Sequence, residues 1–203
     1  MTHQEPGTLA SSLRWIGLVL PGWQGPRPDH WTTDWADEYG YQVLEQSDWD
    51  NPLRGDWQIA LEEKLLKMSV AHQAERTHES FQVVLMAHGL ACHLVSAWAQ
   101  HSRHVAWIKA AWLVEPVDLI QADTPPAWRS WLTPLSEAIP FPTQVLFSSD
   151  DPLCSVSQAQ ALAQRWGSRC QSAADIEHSH KKSAGAEQDA LHQNMLDYIK
   201  QLN

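Results

Sequence analysis

Positive charge is scarce in this chain. Fourteen Lys and Arg stand against 24 Asp and Glu in 203 residues, a formal net charge of −10. A surface of that sign repels phosphate backbones and anionic headgroups, which argues against a nucleic-acid or membrane partner. Long apolar runs are missing too. No stretch approaches the roughly 20 apolar residues that a membrane span requires. The run at 15–20 is too short for a signal-peptide core, and Pro21-Gly22 follows it without a cleavage pattern. Cysteine is sparse as well: Cys92, Cys154 and Cys170 are odd in number and widely spaced. That excludes a disulfide framework and any zinc spacing, and the expectation is a reduced, cytoplasmic setting with no bound metal or cofactor. Internal repeats, low-complexity segments and domain linkers are absent.

What is abundant is tryptophan, twelve in all. Most are expected to fill core and interlayer space. Trp23, Trp31 and Trp49 fall at the polar-turn ends of predicted strands, where a pocket mouth would lie.

Residues 1–12 lack periodicity and read as a loose tail, leaving 13–203 as one domain. Buried strands are expected at 15–20, 41–46, about 81–87, 107–115 and 144–148, with a weak sixth at 168–174. Helical spacing appears between them. Asp29 can cap a helix over 30–39 that turns Trp31 and Trp35 inward. Residues 53–68 place Trp57, Leu61, Leu65 and Met68 on one face. Short helical pieces are expected at 127–136. Ser155 or Ser157 caps a helix that Gly167 stops, and a last helix covers 186–202. Strands alternating with helices imply right-handed crossovers and a mostly parallel sheet covered on both faces.

The stretch from Phe81 to Trp98 organises the rest. A continuous apolar run turns at small residues and continues with Leu90, Leu94, Ala97 and Trp98 spaced like one helix face. Strand, tight turn and helix form the setting of a nucleophile elbow. Ala87 and Ala91 are its small flanks. Its tip is Gly89, which carries no hydroxyl. Sites in such sheets form outside the carboxyl ends of the strands. Four segments would meet there: the loop at 21–28, the elbow at 88–91, the loop at 150–154 and the loop holding His178. Elbow, acid and histidine then follow in the chain order of the α/β-hydrolases.

These residues carry a family resemblance. Leu20-Pro21-Gly22-Trp23, Pro28-Asp29-His30-Trp31, Glu45-Gln46-Ser47-Asp48-Trp49-Asp50, the elbow at His88, Ser149-Asp150-Asp151-Pro152-Leu153-Cys154-Ser155 and Trp166-Gly167-Ser168 together resemble the small serine hydrolases of the YdeN and retinoblastoma-binding-protein type. The resemblance runs from about Trp15 to the end of the chain. It implies a three-layer α/β sandwich around a six-stranded parallel sheet of order 2-1-3-4-5-6, and a Ser-Asp-His triad that hydrolyses carboxylic esters or amides. The family's elbow, His-Ser-Leu-Gly-Cys, falls on His88-Gly89-Leu90-Ala91-Cys92, so its serine falls on Gly89. Its acid falls on Asp151, with Asp150 as runner-up, and its histidine on His178. Its oxyanion amides fall on Trp23 and Leu90, beside His88.

A triad without its nucleophile cannot form an acyl-enzyme. Cys92 lies inside the helix and should point into the interlayer core, and Ser96 lies a turn further. Three functions remain open on the sequence. The first is a pseudohydrolase whose pocket binds a small acyl or aromatic ligand, or a protein partner. The second is a hydrolase using a water activated by a His178–Asp151 dyad, or an unassigned nucleophile. The third is an interaction module with an idle pocket. A metal held by His178, His180, Asp151 and His88 is a weaker idea, because eleven histidines make chance proximity common.

Overall fold

A computed structural model describes residues 15–28, 30–75, 80–120, 124–132, 138–172 and 185–202. The elements in chain order are β1 (Ile16–Leu20), α1 (Trp31–Tyr39), β2 (Gln42–Val43), α2 (Arg54–Ala74), β3 (Val83–His88), α3 (Leu90–Ala99), β4 (Ile108–Val114), β5 (Thr143–Phe147), α4 (Val156–Trp166), β6 (Arg169–Ser172) and α5 (Gly185–Lys200). Two 3-10 helices, Val105–Trp107 and Pro126–Trp131, lie in the connections. The six strands form one sheet of order β2-β1-β3-β4-β5-β6. Every pairing is parallel, as crossover connections require.

β3 sits centrally and every one of its residues is buried. Its side chains alternate between two cores, as a strand's period of two dictates. Val83, Leu85 and Ala87 join the core that also holds the inner residues of α2 and α3. Val84 and Met86 join the core that holds Trp31 and Trp35 of α1 and Leu191 and Met195 of α5. Both faces of the sheet are therefore covered, which explains why its central strands read as unbroken apolar runs.

Several boundaries differ from the sequence reading, each for a local reason. β2 shrinks to two residues because it is an edge strand that pairs only with β1. The polar segment at 69–80 is expected to hold the end of the second helix and a connection, and α2 does end within it, at Ala74. α1 is capped by His30, whose ring accepts from the Thr32 amide; Asp29 lies outside the described residues. The pieces expected at 127–136 are the 3-10 helix ending at Trp131, and 133–137 lie outside the described residues. α4 is capped by Ser155 and stopped by Gly167, as expected. Among the described residues, no helix is long and apolar enough to cross a membrane.

Nine of the twelve tryptophans are buried. Trp31 is one of them, so it does not stand at a pocket mouth: its ring lies against those of Trp35 and His88. Trp23 and Trp49 are half-buried at the carboxyl end of the sheet.

Candidate active site

The turn between β3 and α3 is sharp and centred on one residue. Gly89 has φ 57° and ψ −120°, a conformation that is costly for any residue with a Cβ and free for glycine. Its amide donates to the Val114 carbonyl at 3.0 Å, tying the tip to the end of β4. A Cβ built on Gly89 would find one neighbour within 4 Å, Val117 Cγ1 at 3.9 Å. Among the described residues, nothing else comes within 4 Å of that position. Ala91 is fully buried where α3 crosses the sheet.

The loop after β1 closes on this turn. A Cβ on Gly22 would stand 2.8 Å from the His88 carbonyl oxygen and 3.3 Å from His88 Nδ1, so only glycine permits the approach. Trp23 follows, anchored through its indole N–H to the Asp50 carbonyl at 3.0 Å and set edge-on to Trp128 at 5.4 Å. Leu90 is the first residue of α3, and amides of a first helical turn have no acceptor within the helix. The backbone at Gly22, next to Trp23, thus packs on the elbow, and Leu90 directly follows its tip.

The described sulfur and hydroxyl groups nearby face elsewhere. Cys92 is fully buried, its thiol directed at the carbonyls of Ala87 and Val114, and burial pushes it well above the ordinary thiol range. Ser96 is buried one turn further along α3.

The acid loop after β5 holds two carboxylates. Asp151 is half-buried and accepts from the Leu153 amide at 2.8 Å, while Asp150 accepts from the Ser148 hydroxyl. The amide of Asp118, in the loop after β4, donates to the Leu153 carbonyl at 2.9 Å, which ties the two loops together. His178 and His180 lie outside the described residues, so the third triad position is given by chain order alone. No cluster of metal-ligating side chains occurs among the described residues.

Two residues beside the elbow, Glu115 and His30, escaped the sequence reading. Glu115 directly follows β4 beside the elbow, and its Oε2 stands 3.6 Å from His88 Nε2, both side chains being at most 9% exposed. Glu115 also has φ 49°, rare for a residue with a side chain. The His30 ring meets the His88 ring edge-on at 4.6 Å. A carboxylate directly after an apolar strand, followed by proline, was the available signal for Glu115.

With the elbow, the amide loop and the acid loop placed, the relatives become informative. The sequence matches the serine hydrolase family over residues 17–193. The chain belongs to the serine hydrolase family. Among solved structures, this serine hydrolase fold is similar to a YdeN-like hydrolase from Pectobacterium atrosepticum, with a TM-score of 0.67, 18% identity and 93% of each chain covered. The ydeN gene product from B. subtilis superposes with a TM-score of 0.60 at 15% identity, over 90% of this chain and 99% of its own. Est1E from Butyrivibrio proteoclasticus, solved with ferulic acid bound, gives 0.64 at 10% identity, over 94% and 92%. Among curated proteins no sequence match is found. These distant structural likenesses speak for the α/β-hydrolase fold of this family member.

Proposed function

We propose that this serine hydrolase family member binds a small acyl or aromatic ligand in the family's pocket but cannot run the acyl-enzyme route. The observation that carries the reading is Gly89 at the elbow tip, with an elbow's backbone conformation and, among the described residues, only Val117 within 4 Å of where a side chain would stand. Loss of a nucleophilic serine removes about a million-fold of turnover, whereas amide donors and binding survive it. The buried, raised thiol of Cys92 makes a poor substitute, since only a thiolate attacks. The half-buried Trp23 and Trp49, in the loops at the carboxyl end of the sheet, could supply aromatic contacts to such a ligand, and Est1E, a structural neighbour, holds ferulic acid. The ligand is a small molecule on this reading, with no nucleic acid or membrane involved. The free cysteines suit a reducing, cytoplasmic setting.

A fluorophosphonate probe followed by intact-mass measurement tests the reading. The wild-type chain stays unmodified, and Gly89→Ser gains one adduct together with a burst of p-nitrophenol from p-nitrophenyl acetate. A stoichiometric adduct on the wild-type chain would refute it.

A further inference from the structure

We propose that the exposed face of α2 joins two copies of this chain into an antiparallel, two-fold dimer. α2 is apolar on opposite sides. Its inner side buries Trp57, Leu61, Leu65 and Met68 in the core. On its outer side Ile59 is 59% exposed, Leu66 40% and Val70 66%. At about 100° per residue these three fall within about 40° of arc, so they form one stripe along the helix. A helix needs an apolar stripe only where it meets the core. The folding of a single chain gives no reason for a second one facing water, and a contiguous exposed stripe marks a contact surface.

The charges beside the stripe specify the occupant. Glu63 and Lys67 lie together on one flank, 3.6 Å apart, with side chains 60% and 76% exposed. In an antiparallel two-fold pair the same flank of each helix meets its copy. An axis passing between Lys64 and Leu65 sets Ile59 of each copy opposite Val70 of the other, because both are equally far from it. The two Leu66 side chains then meet across the axis. The same register sets Glu63 of each copy beside Lys67 of the other, opposite in sign. One pairing thus matches apolar to apolar and acid to base, which makes the face complementary to itself. The chain carries a net charge of −10 and repels its copy at long range, so this local neutrality is what lets the two faces approach. The contact is one helix wide, which places it among weak, reversible associations.

Sedimentation velocity on the full chain, over a concentration series reaching the high micromolar range, tests the proposal. Wild type passes from monomer to dimer as concentration rises. Leu66→Glu weakens the dimer at least about tenfold. Melting curves matching wild type identify folded variants; Val70→Glu, at a more exposed position, replaces Leu66→Glu if the latter is unfolded, with the same loss expected. Glu63→Lys and Lys67→Glu each weaken the dimer on their own, since each brings like charges together. Mixed in equal amounts, these two variants regain it, because each supplies the charges that the other lacks. Monomer at every concentration would overturn the proposal. A wild-type dimer untouched by the glutamate substitutions would overturn it too, since the contact would then lie on another face. A mixture no more associated than its two components would overturn the antiparallel register.

Discussion

The Gly89 amide donates to the Val114 carbonyl at 3.0 Å, so the tip of the elbow is pinned to the neighbouring strand and does not depend on its own side chain. The turn is thus held by three things: this bond, the glycine conformation, and Ala91 packed below it. An elbow fixed in this way tolerates the exchange of its tip residue.

Gly89→Ser should therefore fold. The added Cβ meets Val117 at ordinary contact distance, and the cost comes from backbone strain at φ 57°, about 1–3 kcal/mol. The melting temperature should fall by several degrees while esterase activity appears. Differential scanning calorimetry and a p-nitrophenyl ester assay check the two halves. An unfolded variant would mean that the tip is more crowded than the geometry gives.

Gly22→Ala tests the amide loop. Its Cβ would come within 2.8 Å of a backbone oxygen, which cannot swing aside as a side chain can. The loop must shift away from the elbow and carry the Trp23 amide with it. Ferulate affinity should fall at least about tenfold, while the far-ultraviolet circular dichroism stays unchanged. Calorimetric titration gives the answer.

His93 makes stability depend on pH. Burial holds its imidazole down to a pKa of about 4, against the ordinary 6.5, even though Nε2–H donates to the Val117 carbonyl at 2.8 Å. A depressed histidine binds its proton later in the folded chain than in the unfolded one. Stability is therefore complete above about 6.5 and drains away as pH falls from 6.5 towards 4, by about 3 kcal/mol from this group. His192, also held to about 4 by burial, acts in the same direction. Urea denaturation at pH 7 and pH 4.5 should show a smaller loss for His93→Gln than for wild type. Equal losses would assign the effect elsewhere.

Glu62 joins α2 to the end of α3. Its carboxylate accepts from Trp98 Nε1 at 2.6 Å, Ser102 Oγ at 2.8 Å and His104 Nδ1 at 2.5 Å. These bonds hold the carboxyl below the ordinary carboxylate range despite its partial burial. Glu62→Ala leaves the buried indole N–H without its acceptor and should cost about 2 kcal/mol. Chemical denaturation measures it, and an unchanged midpoint would discount the cluster.

The sequence by itself determined the layered crossover architecture, because apolar runs of strand length alternate with one-faced helical spacing. It also determined the elbow, since Ala87, Gly89 and Ala91 are the small residues a close strand–helix junction needs, and it placed Cys92 in the core by helical phase. Strand lengths at the edges, such as the short β2, escaped it because they depend on which neighbour pairs. The partnership of Glu115 with His88 escaped it for a related reason. The two residues are far apart in sequence and become neighbours through the register that sets His88 beside Val114. Local pattern decides which face a residue takes. Only the packed sheet decides which ionisable groups come to share a site, because that depends on pairing across the chain.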